Sequence, residues 1–284
     1  MRLALKILFL LLLAAAIFGA GWYFTDKLFR APVRAMKEEK LQPPPPPPPD
    51  ESLPELARVL ELQKQEKWIE ARTALETFCE QWPDSTKIDD AREALGAVNA
   101  HILFSPTPSP EKQLYVVKSG DVLTRVAARL KSSEELIMRA NKLSTTMLRI
   151  SQRLSVPPTA FSAVLSRKEN KLILSNGGRF FRQYAIRSWP VAAGKGAAGP
   201  AVKLTGRVVG KLSWADGQVV NFSDKSYAGA THWVNLSLTS FTLYSEPREG
   251  DAKAQKPVSG VALAPEAMAE IAAVLRKGDV VTVE

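Results

Sequence analysis

Tyr115-Val116-Val117-Lys118-Ser119-Gly120-Asp121-Val122-Leu123 and, further along, Gln152-Arg153-Leu154-Ser155-Val156-Pro157 frame one short unit. Tyr115 and Val117 alternate as a brief strand, and Gly120 permits a tight exit that a β-carbon would hinder. Asp121 is placed to cap the helix that follows. Leu123, Val126, Ala127 and Leu130 step at helical spacing. Leu136, Ile137 and Ala140 repeat the pattern in a second helix, and Asn141, a residue tolerated in left-handed geometry, ends it. Leu154 and Val156 alternate again, and Pro157 stops the pairing. The predicted order is βααβ, with most of these residues in core or turn positions.

Taken together, these markers resemble a LysM domain spanning residues 114–158. The resemblance implies a partner, peptidoglycan or another N-acetylglucosamine-containing glycan, lying in a shallow groove between two loops. Backbone groups hold it against the N-acetyl substituents. On this chain the implied glycan-binding positions are Gly120, Asp121, Val122 and Leu123, with Met147, Leu148, Arg149 and Ile150 opposite. Ser151 departs from the pattern, because the family commonly has glycine there before the glutamine. A short groove buries little area, so one module binds weakly and gains most from a second attachment.

Working back toward the N-terminus, Pro106-Thr107-Pro108-Ser109-Pro110 marks a linker over 105–113. Residues 52–104 carry three helical patterns: Leu53, Leu56, Leu60; then Trp68, Ala71, Leu75, Phe78, Trp82; then Ile88, Ala91, Leu95, Val98, Ile102. Pro83 stops the second helix, and Asp84 or Ser85 is expected to cap the third. The stretch Trp68-Ile69-Glu70-Ala71-Arg72 through Leu75 is similar to the second half of a tetratricopeptide repeat. One such repeat cannot bury its own faces, which predicts packing on the next module or on an envelope protein partner.

Before these helices, residues 25–51 form a linker containing the uninterrupted run Pro43–Pro49. At about 3.1 Å per residue in polyproline II geometry, the run makes a semi-rigid spacer of roughly 20 Å. Residues 1–24 hold an uncharged stretch from Ile7 to Phe24, preceded by Arg2 and Lys6, just long enough to span a bilayer. Trp22, Tyr23 and Phe24 at its end suit a membrane interface better than a mature N-terminus, which favours an uncleaved anchor over a cleaved signal. Lys27, Arg30, Arg34, Lys37 and Lys40 follow it, against the positive-inside rule. Long following domains translocate largely regardless of flanking charge, so the bulk of the chain is expected outside the cytoplasm.

C-terminal to the central module, residues 160–284 read as mainly strand: Ala163–Leu165, Lys171–Leu174, Arg179–Ile186, Gly206–Leu212, Thr231–Leu238, Thr242–Tyr244 and Val280–Val283. Asn176-Gly177-Gly178 is a hairpin signal. One helix, Pro265–Leu275, precedes the last strand. The segment Ser259-Gly260-Val261-Ala262-Leu263-Ala264-Pro265-Glu266, with Gly278-Asp279-Val280-Val281 after it, resembles the L,D-transpeptidase catalytic domain, which crosslinks peptidoglycan through a cysteine. Where that family has Ser-His-Gly-Cys-x-Arg, the cysteine position here falls at or beside Gly260 and the arginine at Ala262. Acyl transfer needs a nucleophile beside a base. Neither Ser259 nor Cys79 has an evident histidine partner, and His232 reads as structural. The expectation is a degenerate domain with no catalytic residue, able to retain a recognition role. An active transpeptidase or hydrolase with an unconventional nucleophile, and a scaffold that docks proteins, are the alternatives.

The fold class expected overall is multidomain α+β. One cysteine, Cys79, and two histidines, His101 and His232, allow neither a disulfide framework nor a zinc cluster, so no cofactor or metal is expected. Lysine and arginine exceed aspartate and glutamate by 38 to 29, without a dense basic stripe. That spread suits mild attraction to anionic surfaces and argues against nucleic acid as a partner.

Overall fold

The computed structural model describes residues 2–25, 27, 52–190, 203–246 and 259–284. The Pro43–Pro49 spacer lies outside them. Helix α1, Arg2–Thr25, is followed by a separate compact unit spanning residues 50–284. Within α1, Ile7–Thr25 is long and apolar enough to cross a membrane, a property that signal sequences share. Leu10, Leu11, Phe18 and Trp22 are all exposed on it.

The second unit begins with α2 (Ser52–Lys64), α3 (Trp68–Gln81) and α4 (Ile88–Phe104). Leu56, Val59, Ala71, Leu75, Phe78, Ala91, Leu95, Val98 and Ile102 form their shared core, as the helical spacing of the last two patterns requires. Leu53 is instead exposed, and Val59 takes the inner face of α2. Neither Asp84 nor Ser85 caps α4. The helix starts later, with Lys87 at the cap position and no side-chain bond there, while the Ser85 hydroxyl accepts from the Lys87 backbone N–H at 3.0 Å. The bend therefore satisfies a donor before the helix begins.

Strand β1 (Gln113–Val116), α5 (Leu123–Arg129), α6 (Glu134–Ala140) and β2 (Arg153–Val156) follow, with β1 and β2 antiparallel in the register Tyr115↔Leu154. Val117, Leu123, Val126, Ala127, Ile137, Met138, Leu154 and Val156 make a small core of their own. Two expected helix ends differ in detail. Val122, not Asp121, holds the cap position of α5, without a side-chain bond. Asn141 stays at negative φ and Lys142 takes the left-handed conformation, φ 54°. The Asn141 amide is committed elsewhere: it donates to the carbonyls of Ile137 and Ser155 and accepts from the Ser155 N–H at 2.7 Å, fastening α6 to β2.

The remaining strands are β3 (Phe161–Ser166), β4 (Lys171–Asn176), β5 (Arg179–Ser188), β6 (Leu204–Ala215), β7 (Gln218–Val219), β8 (Thr231–Leu236), β9 (Thr242–Ser245), β10 (Gly260–Leu263) and β11 (Val280–Val283). They run in the order β11-β3-β4-β5-β10-β9-β8-β6-β7, and a further β11–β6 pairing closes the sheet on itself like a barrel. The sheet is not purely antiparallel, because β10 pairs parallel to β9 and β11 parallel to β3. Strand β10 went unread in the sequence, since a four-residue apolar run flanked by proline is short for any periodicity to register. With α7 (Pro265–Val274) between β10 and β11, the segment is mixed α and β.

Helix α7 is the apolar plug of this sheet. Met268, Ile271, Ala273 and Val274 are fully buried, and each large side chain so placed contributes roughly 1.5–3 kcal/mol. Its outward Glu270 takes both carboxylate oxygens to Arg182 on β5, at 2.9 and 3.1 Å, and accepts from the Tyr184 hydroxyl at 2.9 Å. Gly96 on α4 lies against Arg182 so closely that a β-carbon would stand 2.7 Å from its Cγ. The helical segment is thereby packed directly onto the sheet.

The β1–β2 unit is docked as well. Its buried Glu135 accepts from the Tyr227 hydroxyl at 3.1 Å and pairs with Arg139 at 2.7 Å. Phe222, in the segment between β7 and β8, packs against the same small core. Arg276 donates to the Thr159 carbonyl at 2.6 Å.

Candidate glycan-binding site

Beyond the last rung of β1 and β2, Val117 donates its N–H to the Gln152 carbonyl and accepts from the Ser151 N–H, both at 2.9 Å. These bonds bring the loop entered after Val117 and the loop that ends at Ser151 to the same end of the two-stranded sheet. Gly120–Leu123 lie on the first loop and Met147–Ile150 on the second.

A bond network sets the shape of the first loop. The Asp121 carboxylate accepts from the Lys118 N–H at 2.8 Å and from the Tyr115 hydroxyl at 2.6 Å. Arg129 donates to the same hydroxyl at 2.8 Å. The Tyr115 bond, then the backbone bond from Lys118, holds the Asp121 carboxyl below the usual carboxylate range. Asp121 therefore braces the turn rather than the helix, because Lys118 and Tyr115 reach it first. Gly120 takes φ +78°, and its carbonyl accepts from Arg125 at 2.7 Å.

The second loop closes through Gln152, whose side-chain oxygen accepts from the Arg149 N–H at 3.0 Å, while its own N–H bonds the Arg149 carbonyl at 3.0 Å. Ser151 sits at φ +65°. This left-handed conformation is the one glycine adopts without cost and a β-carbon resists. The departure from the LysM pattern is thus a substitution of side chain at unchanged glycine-type geometry.

The eight expected positions differ in what they present. Val122, Met147 and Ile150 are exposed apolar side chains, at 47%, 78% and 69%. Leu123 is 2% exposed and belongs to the core, so its side chain offers nothing to a ligand. Leu148 packs partly against that core. The Asp121 carboxylate and the Gly120 carbonyl already have partners. What remains is an apolar rim with Arg149 at the surface and backbone groups between, suited to the flat faces and amide groups of a sugar chain. The bracing side chains Tyr115, Arg129 and Gln152 were not singled out as site residues. Of these, only Tyr115 and Gln152 carry a signal in the sequence, as markers of the motif.

At the other end of the molecule, Gly260 lies buried between β9 and β5. Ser259 donates to the Ser240 carbonyl at 3.1 Å. His232 is buried, with Nδ1 2.9 Å from the Ser213 hydroxyl and its backbone N–H on Ser245 Oγ. Ser259 and His232 are not brought together by any bond between them.

Residues 115–157 match the family model of the LysM domain, and this segment is a LysM domain. The chain also shows likeness to solved structures of L,D-transpeptidases. One from Stackebrandtia nassauensis is 15% identical over 44% of this chain and 56% of that one, with a TM-score of 0.30. L,D-transpeptidase 1 of Mycobacterium tuberculosis is 13% identical over 47% and 67%, TM-score 0.28. A mutant of the Enterococcus faecium L,D-transpeptidase is 11% identical over 62% and 68%, TM-score 0.29. This chain spans about half the length of the first. Comparison with curated proteins returns no match.

Proposed function

We propose that this is a membrane-tethered envelope protein that binds peptidoglycan glycan through its LysM domain, with a C-terminal domain that is a non-catalytic relative of the L,D-transpeptidases. The observation that carries the binding reading is the paired loop end of the LysM domain, with Val122, Met147 and Ile150 exposed around it. Tethering rests on the apolar length of Ile7–Thr25 and on the interfacial character of Trp22 and Tyr23. The helices α2–α4 serve as a tetratricopeptide-like spacer packed on the sheet, and an uncleaved α1 leaves the bulk of the chain periplasmic or extracellular.

The non-catalytic reading is supported by Gly260. A β-carbon there would stand 2.3 Å from the Thr242 carbonyl oxygen, so Gly260, at or beside which the family's cysteine is expected, has no room for a side chain. A serine–histidine bond exists between Ser213 and His232, which favours the alternative of an unconventional nucleophile. Both side chains are buried, at 8% and 1%, and substrate would have to displace the barrel wall to reach them.

Co-sedimentation with purified peptidoglycan sacculi tests the binding reading, using the full chain in detergent micelles. The chain is expected in the pellet, and Met147→Asp with Ile150→Asp is expected to leave it in the supernatant. Because both residues are exposed, the substitutions should change stability by no more than about 0.5 kcal/mol. Retained sedimentation of the folded double variant would move binding to another part of the chain. Incubation with tetrapeptide-containing muropeptides should yield no product; one that disappears in Ser213→Ala would establish the enzyme.

A further inference from the structure

A cavity of about 370 Å³ opens where α3, α4, the 105–113 segment and the β4–β5 turn meet, away from the loops of the LysM domain. Its size falls at the lower end of ligand clefts, which run from about 300 to 1,000 Å³ and combine apolar walls with a few convergent polar groups. Phe180, Ile102 and Leu103 supply the apolar wall. The polar lining is an unequal set of charges: Arg72, Lys112 and Arg179 against Glu76 and Glu111.

Two of these charges cancel within the protein, since Arg72 pairs with Glu111 at 2.9 Å. Lys112 is pinned by the carbonyls of Ser105 at 2.5 Å and Thr107 at 3.1 Å. An ammonium has three donors, so one N–H of Lys112 stays uncommitted. Glu76 and Arg179 form no ion pair with any other described residue, yet both line the cavity. The wall therefore presents one unspent carboxylate, one unspent guanidinium and a third donor from Lys112.

We propose that this cavity binds a small zwitterion, a free amino acid or dipeptide, with the ligand's ammonium on Glu76 and its carboxylate on Arg179 and Lys112. The guanidinium fork matches a carboxylate, and the aromatic and aliphatic wall accommodates a short side chain. The net excess of one positive charge favours a ligand that carries its carboxylate unblocked. Burial lowers Lys112 to about 8, with the neighbouring Glu111 charge opposing the shift, so its ammonium is present at neutral pH.

Isothermal titration calorimetry of the full chain in detergent micelles tests this with three probes: dialanine, N-acetyl-dialanine and dialanine amide. Dialanine is expected to bind, and each blocked form to bind at least tenfold more weakly. Glu76→Gln should erase the penalty for acetylation and keep that for amidation; Arg179→Gln should keep the penalty for acetylation and reduce that for amidation, the remainder being held by Lys112. Both side chains reach solvent, so the variants should melt with the wild type. No binding of dialanine, equal affinity for all three probes, or an acetylation penalty that survives Glu76→Gln would each overturn the proposal.

Discussion

Gly260 on β10 approaches Thr242 on β9 so closely that a β-carbon would lie 2.3 Å from the Thr242 carbonyl oxygen and 3.0 Å from Cδ1 of Tyr244. The obstruction is backbone, which cannot rotate away. Gly260→Ala should therefore destabilise the protein by about 3 kcal/mol or more, at the upper end of what overpacking a core costs. Gly260→Cys should fall further and gain no crosslinking activity, because the strands must part to admit the thiol. Denaturant unfolding of the two variants checks the first statement, and muropeptide incubation the second.

Ser151 at φ +65° invites the opposite change. Among the described residues its side chain makes no hydrogen bond that holds the conformation, and a left-handed non-glycine residue carries a cost of about 1–2 kcal/mol. Glycine relieves that cost but enlarges the unfolded ensemble, which takes back part of the gain. Ser151→Gly is expected to raise stability by up to about 1 kcal/mol, with sedimentation on sacculi unchanged. A fall in the urea midpoint would mean that the hydroxyl has an undetected structural duty.

Glu135 joins the LysM domain to the sheet, and its two partners are not equivalent. Tyr227→Phe removes one neutral donor and should cost about 1 kcal/mol. Arg139→Ala leaves a nearly buried carboxylate without its cation, and also removes the guanidinium from above the Phe104 ring. Truncating one partner of a buried pair is the expensive case. With Arg139 partly solvated, the loss should be roughly 2 kcal/mol or more. Thermal unfolding of both variants ranks them; an equal loss would contradict the assignment of Arg139 as the main partner.

Lys112 gives a pH signature. Burial lowers it from the ordinary lysine value of 10.5 to about 8, so between those values the unfolded chain holds a proton that the folded chain lacks. Stability rises with pH wherever the unfolded state binds more protons. The wild type should consequently gain stability relative to Lys112→Met as pH rises from 8 toward 10, and the difference should be flat between pH 6 and 7. Paired melting curves across this range measure it.

Much of the local structure was legible because it depends on near neighbours. The 3.6-residue spacing of Ala71, Leu75 and Phe78, and of Ala91, Leu95 and Val98, places a buried stripe on α3 and α4 whatever those helices meet. Asn176-Gly177-Gly178 turns β4 into β5, since positive φ at Gly177 and Gly178 is cheap only for glycine. Pro265 opens α7 for an equally local reason. The loops of the LysM domain could be located, because their boundaries are motif residues. The state of each side chain within them could not: Asp121 has several donors in reach, and the choice of Lys118 and Tyr115 over a helix cap follows from how β1 meets the turn.

An apolar N-terminal helix, three amphipathic helices, the LysM domain and a strand-rich end follow from local pattern, because periodicity, proline and glycine act over a few residues. Tertiary structure alone decided that the sheet closes through β11 pairing with both β3 and β6, that Tyr227 reaches Glu135 from 92 residues away, and that Gly260 has a carbonyl where a side chain would go. Such contacts join residues distant in sequence, and which distant residues meet depends on the packing of every element between them. No local pattern records that choice.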